Sequence, residues 1–334
     1  MDFLSFFVTF FSLYKNTSKI IVNDNLDTEI IMDGVIPLNK EIGQTSSDYV
    51  YKLRKVLHTK KIGHTGTLDP LVDGVLPICV GQATKLVNTL TGSPKEYEGE
   101  ITLGRSTTTE DREGDTVEEK KLTEPISSEN LQKVFQQMTG NLTQIPPMFS
   151  AVKVNGKKLY EYARAGLEVE RPKRQIHIYD FHIMGDSIYD ETTGYQTLRF
   201  HVKCSKGTYV RTLAVEFGRI LGYPAFMSQL TRVKSAGFSI GETFTLRQIE
   251  EMLENNDTSF LKSIDEVLSY VPKHELTDEE WEVRVSHGGF LEPEIDSDIE
   301  DRLRVQRAGV TKALYKYDKV RNMWIPDLML LNNK

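Results

Sequence analysis

From Thr45 to Lys61 the segment TSSDYVYKLRKVLHTKK places Val50, Leu53, Val56 and Leu57 at helical spacing, with basic residues on the other face. Ser46, Ser47 and Asp48 suit the N-terminus of that helix. Three runs alternate with period two instead: YEGEITLG (97–104), RQIHIYDFHIM (174–184) and TLRFHVKC (197–204). In the last of these Leu198, Phe200, Val202 and Cys204 share one face, as expected of a half-buried strand. Helical patterns recur around Glu129–Met138, Thr212–Leu221 and Thr245–Leu253. Strands interleaved with helices of this kind predict an α+β or mixed α/β fold.

Near Pro272 the pattern changes. An acidic stretch gives way to RLRVQRAGVTKALYKYDKVRNMWIPDLML, short strand-like runs separated by Gly309, by the turn from Asp318 to Asn322 and by Pro326. A domain boundary is expected at about residue 270, followed by a small β-rich module. At the other end, MDFLSFFVTFFSLYK is apolar but shorter than the roughly 18–20 residues that span a bilayer. It carries Asp2 where a signal peptide has a basic residue, so residues 1–31 read as an extension of unassigned role, with Met32 a candidate start.

Composition narrows the class. With 334 residues, 39% hydrophobic and 27% charged, the chain reads as globular, which excludes collagen, low-complexity disorder and a membrane bundle. Two distant cysteines without ligand spacing suggest neither a disulfide framework nor a zinc site, and a reducing, cytoplasmic setting fits. The formal net charge of −7 hides a partition. Residues 49–85, 150–234 and 301–334 carry net charges of +4, +6 and +5, against −7 for 96–130 and −13 for 235–300. Basic blocks folded onto one face, with the acidic blocks behind, would make a footprint for a polyanion.

The densest segment is KKIGHTGTLDPLVDGVLPICVGQATKL (60–86), which reads as a glycine-rich loop built for close approach. Pro70 biases Asp69 away from helical geometry and so presents its carboxylate on a stiff turn. A phosphate loop is excluded, since neither GxxxxGK[ST] nor GxGxxG occurs here. His64 and Asp69 also lack a further metal ligand at usable spacing.

GHTGTLDP followed by GVLPICVGQATK resembles the signature of the TruB family, the bacterial tRNA pseudouridine-55 synthases. The resemblance runs collinearly over residues 32–268, through KEYEGEITLGRSTTTEDREGD (95–115), the segment from IPPMFSAVKVNGKK (145–158) to Arg174, CSKGTYVRTLAVEFG (204–218) and LTRVKSAGF (230–238). It implies a pseudouridine synthase catalytic domain over 32–268, with a central mixed, largely antiparallel sheet flanked by helices. Residues 270–334 resemble a PUA-like domain more loosely. One departure is Lys40-Glu41, where the family usually has Lys-Pro; Glu41 is expected to loosen that turn without touching a catalytic position.

The resemblance implies isomerisation of a T-loop uridine in tRNA: the C1′–N1 bond breaks, the uracil turns, and C5 bonds to C1′. It implies no cofactor and no metal, a monomer, the tRNA T-arm as partner, no guide RNA and no membrane. Asp69 corresponds to the nucleophile, which must be ionised and therefore needs a fixed cation, for which Arg211 is the family's candidate. Tyr97 corresponds to the tyrosine that stacks on uracil and is placed for proton transfer. His64 fills the space left by the flipped base, Tyr209 and Leu230 wall the pocket, and Lys85 or the Lys60-Lys61 pair contacts phosphate. Taken singly, Asp69 reads as a turn cap, Tyr97 and Tyr209 as strand aromatics and Leu230 as core, so these roles rest on the resemblance.

Two other readings share the basic surface. An RNA-folding chaperone that binds the tRNA elbow would not need Asp69. A guide-RNA-dependent enzyme of the dyskerin type is disfavoured by the acidic insertion RSTTTEDREGD (105–115) and the compact C-terminal module.

Overall fold

A computed structural model describes residues 32–292 and 302–330. The extension 1–31, with its candidate start region before Met32, lies outside the described residues. In chain order the first elements are β1 (Gly34–Lys40), α1 (Ser46–Val56), β2 (Ile62–His64), β3 (Asp73–Val80), α2 (Val87–Thr91) and β4 (Lys95–Leu103). Next come β5 (Arg105–Thr107), β6 (Thr116–Glu119), α3 (Ser128–Gln137), β7 (Gly140–Gln144), β8 (Lys153–Val154), β9 (Lys157–Lys158) and α4 (Leu159–Arg164). Then follow β10 (Arg174–Ile183), β11 (Ile188–Asp190), β12 (Tyr195–Cys204), α5 (Val210–Leu221), β13 (Ala225–Ser235), β14 (Phe238–Ser239), α6 (Leu246–Glu254) and α7 (Ile264–Val267). A second sheet holds β15 (Lys273–Glu275), β16 (Arg302–Arg307), β17 (Val310–Asp318) and β18 (Met323–Met329).

The main sheet runs β1-β3-β13-β4-β12-β10-β7, with β2, β14 and β11 attached to β3, β13 and β12. It is antiparallel except where β13 lies parallel to β3 at Thr231–Asp73 and Arg232–Gly74. That approach requires a glycine: Gly74 has φ +102°, and a Cβ there would lie 2.3 Å from the Arg232 carbonyl oxygen. The mixed, largely antiparallel sheet flanked by helices agrees with the expected α+β class.

Alternation explains the central strands. Tyr97, Ile101, Leu198, Phe200, Val202 and Phe181 turn to one face, where α3 and α5 cover them with Leu131, Phe135, Leu213 and Phe217. Phe135 and Phe181 meet edge to face at 4.6 Å, and each fully buried phenylalanine of this cluster contributes roughly 1.5–3 kcal/mol. Helix α1 starts in a capping box, Thr45 accepting from the Asp48 N–H while the Asp48 carboxylate accepts from the Thr45 N–H. It ends before the expected Lys61, because His58 takes a left-handed φ of +49°.

The segment 60–86 is corrected most. Only residues 65–72 form a loop; β2 precedes it, and β3 and a 3₁₀ turn (Gly81–Leu86) follow. β3 is buried on both faces from Gly74 to Val80, so it shows no alternation, and Pro77 disguises it further. Pro77 is tolerated because it faces Pro37 of β1 at a position where both carbonyls point outward, to Thr65 and Phe244 N–H groups respectively, so no ladder bond between the strands is lost. The outer side of β1 is itself occupied: Val35 exchanges backbone bonds with Lys262, and Phe244 bridges Pro37 and Asn39.

In the second sheet Pro326 does not separate strands, as the sequence suggested. β18 continues through it by a bulge opposite Leu314 and Tyr315, which an edge strand allows. Leu314 and Leu330 join Val35, Cys79, Leu86 and Leu268 in one buried cluster, so the two sheets share a core at their junction.

Candidate active site

Asp69 sits in the loop between β2 and β3, and that loop is fixed from behind. Ser46 Oγ accepts from the Leu68 N–H at 2.9 Å and donates back to the Leu68 carbonyl at 3.2 Å. Lys40, fully buried, donates from Nζ to the Val72, Glu41 and Pro70 carbonyls at 2.7, 3.0 and 3.3 Å. Glu41 does not leave the turn loose: its N–H donates to the Tyr49 hydroxyl, which donates in turn to the Glu41 carboxylate.

Burial lowers the Lys40 ammonium to about 8, against the opposing pull of Asp73 and Asp69. A base held below its ordinary 10.5 penalises the fold while both states are protonated, and the penalty is relieved as pH rises from about 8 towards 10.5. Urea unfolding at pH 8 and at pH 10 is therefore expected to show wild type gaining stability relative to Lys40→Met. A difference independent of pH would refute the assignment.

Above this support the Asp69 side chain, 43% exposed, meets Arg211, 5% exposed, with Oδ2 and Nη2 2.9 Å apart. Arg211 enters from the first turn of α5, where its charge opposes the helix dipole. The compensation is local: Nη1 donates to the Thr109 carbonyl at 2.8 Å, Nη2 to the Phe149 carbonyl at 2.9 Å, and Asp111 Oδ2 lies 3.6 Å away. Asp111 is itself fixed by the Thr109 hydroxyl and the Glu113 N–H. Beside it Glu110, at φ +64°, accepts from the Thr212 hydroxyl, and burial raises its carboxyl above the usual range.

Tyr97 and Leu230 come from neighbouring strands of the same face. Leu230 lies opposite Gly99, and Arg232 opposite Tyr97. Burial raises the Tyr97 phenol, opposed by the adjacent Arg232 guanidinium. Arg232 is buried and ties the walls together, donating to the Val75 carbonyl at 2.7 Å and the Gly66 carbonyl at 3.1 Å. His64 accepts at Nδ1 from the Gly66 N–H, and burial, then Arg232, lowers its affinity for a proton, which favours the neutral ring. Tyr209 precedes α5, its backbone clamped by both amide atoms of Gln144. An open groove of about 740 Å³ reaches Phe149, whose carbonyl accepts from Arg211, and is lined besides by Thr108, Met148, Leu167, Glu170 and Arg171.

The family model described as the TruB family pseudouridylate synthase N-terminal domain matches residues 54–210. A tRNA pseudouridine synthase B of Pediococcus pentosaceus is 54% identical over 302 residues, 90% of this chain and 99% of that protein. The chain belongs to the TruB family. The enzymes of that name from Latilactobacillus sakei and Listeria monocytogenes are 52% and 49% identical, each over 91% of this chain. The TruB-family chain is therefore a pseudouridine synthase. Among solved structures, a Cbf5-Nop10-Gar1 complex superposes with a TM-score of 0.66 at 22% identity, covering 95% of this chain and 93% of that one. An H/ACA RNP bound to a substrate RNA containing 2′-deoxyuridine gives 0.65 at 19%, covering 96% of each. At that identity the likeness speaks for the fold alone, and it agrees with the fold expected.

Of the residues singled out in this TruB-family sequence, the structure pairs Asp69 directly with Arg211 and brings Tyr97 and His64 to Arg232, with Leu230 two residues before it on β13. Tyr209 borders the same region through α5. Lys85 is placed apart: it is exposed on the 3₁₀ turn and donates to the Leu330 carbonyl at the junction with the second sheet. Sequence reasoning missed Asp111, Arg232 and Lys40. Asp111 stood in a run read as an acidic insertion, and Arg232 in a quoted motif given no role, so neither had a local signal to mark it.

Proposed function

We propose that this enzyme isomerises the uridine at position 55, in the T-loop of tRNA, with Asp69 as nucleophile. The observation that supports this best is the Asp69–Arg211 pair. A half-exposed carboxylate is held by a buried guanidinium, so it stays available for attack while its charge is compensated from below. In the reaction the C1′–N1 bond breaks, the uracil turns, C5 bonds to C1′, and the C5 proton leaves as N1 gains one. Tyr97, buried against Arg232, stacks on the base and serves the proton transfer. His64 takes the place of the flipped base, and Tyr209 and Leu230 confine the uracil. That the relatives are tRNA pseudouridine synthases supports tRNA as substrate.

Phosphate contact falls to Lys60 and Lys61, both exposed immediately before β2 and His64, rather than to Lys85, which is engaged at the second sheet. Residues 32–268 form the catalytic domain and residues from 270 onward a PUA-like one. The enzyme acts in the cytoplasm as a monomer without guide RNA; among the described residues no helix is long and apolar enough to cross a membrane.

The test is to incubate the purified protein with an unmodified T-arm stem-loop and map pseudouridine at every uridine. Product is expected at the single T-loop uridine. Tight binding without product would overturn the assignment in favour of an RNA chaperone, and product at other uridines would overturn the position.

A further inference from the structure

The face of the main sheet turned away from Tyr97 carries a second cluster, which the isomerisation does not use. Ile176, Ile178 and Phe181 of β10 all point into the core, a spacing that strict alternation forbids. A bulge at Tyr179 makes it possible: Ile178 pairs with Cys204 and Asp180 already with Lys203. Without that extra residue Asp180 and His182 would follow Ile178 inward. With it they face outward, His182 directly opposite His201 of β12.

There Asp180 Oδ2 is approached by two imidazole nitrogens, His182 Nδ1 at 2.9 Å and His201 Nδ1 at 3.2 Å. The rings stack with centroids 5.1 Å apart and planes at 27°. The potential ligand atoms all lie within 4.8 Å of one another. We infer that Asp180, His182 and His201 bind a divalent transition-metal ion of the zinc class, which clips β10 to β12.

Bond lengths of about 2.0–2.1 Å would place tetrahedral ligands roughly 3.4 Å apart, within reach of small χ rotations of these side chains. Asp180 and His182 are about half exposed and free to make them. The ion would sit where the two Nδ1 atoms now converge on one carboxylate oxygen. His201 has outer support on its other nitrogen: Nε2 faces Glu96 Oε2 at 3.7 Å, and Glu96 is paired with Lys203 at 3.4 Å. A carboxylate behind a ligating imidazole is the usual device for fixing the ring and raising its basicity. Two nitrogens and one carboxylate, with solvent completing the shell, select zinc, cobalt, nickel or copper over magnesium and calcium, which take oxygen ligands.

The test uses the full chain, stripped with chelator and titrated with cobalt(II) chloride and zinc chloride at neutral pH. Wild type is expected to bind one ion per chain, with visible cobalt absorption, and to gain thermal stability with zinc. His182→Ala and Asp180→Asn, both exposed changes, should each weaken binding at least about tenfold and abolish the thermal gain. His177→Ala, on the same strand but bonded to Asn141, should leave both unchanged. Absence of binding in wild type, or binding that survives in His182→Ala, would overturn the inference.

Discussion

Asp69→Asn is expected to bind a T-arm stem-loop as wild type does and to form no pseudouridine, a loss of ~10⁴-fold or more. Asparagine keeps the shape of the side chain and can still accept from Arg211, so the loop held by Ser46 and Lys40 should not move. What it loses is the nucleophilic oxygen pair. Binding should persist because the side chain that is changed is an anion, whose charge opposes that of RNA. Electrophoretic binding and single-turnover pseudouridine mapping on the same preparation separate the two effects. Product at a rate near that of wild type would exclude Asp69 as nucleophile.

Arg211→Ala should lower the rate by ~10²–10³-fold, and Arg211→Lys should recover little of it. The guanidinium faces four oxygens at once: those of Asp69 and Asp111 and the carbonyls of Thr109 and Phe149. An ammonium is a point donor and cannot reach all four, and alanine leaves two carboxylates facing each other without a cation. Removing the buried guanidinium also leaves Asp111 without its cation and costs stability, so rates must be compared below each variant's thermal midpoint. A folded Arg211→Ala enzyme with unchanged turnover would show that the pair is structural only.

Elements that bury one face announced themselves. α1, α3, α5, α6, β4 and β12 follow from periodicity because a polar side alternates with an apolar one. β3 and β13 did not, since β3 is buried on both faces and β13 carries two register shifts. β10 was legible as a strand, but the phase change at Tyr179 was not, as it depends on what Phe181 packs against. The candidate site was legible through the motif resemblance for Asp69, Tyr97 and Arg211. Asp111 was hidden because its partner lies 100 residues further along the chain. The charge blocks misled at the C-terminus. Arg304 and Arg307 pair with Asp265, Asp278 and Glu282 of the acidic block, so part of that basic charge is neutralised by its neighbour rather than displayed on a separate face.

The backbone strap over β1 bears on the behaviour of the chain in a crowded solution. A long sheet ends in rows of unsatisfied amides and carbonyls, which recruit strands from other molecules. Here Phe244 and Lys262 already occupy the β1 margin. Strand addition to the main sheet is thereby left to the opposite margin, at β7, where Asn141 and Thr143 present short polar side chains and Gly140 weakens any template. Loss of the strap would expose the β1 margin as well, so that the main sheet could add strands at both of its ends.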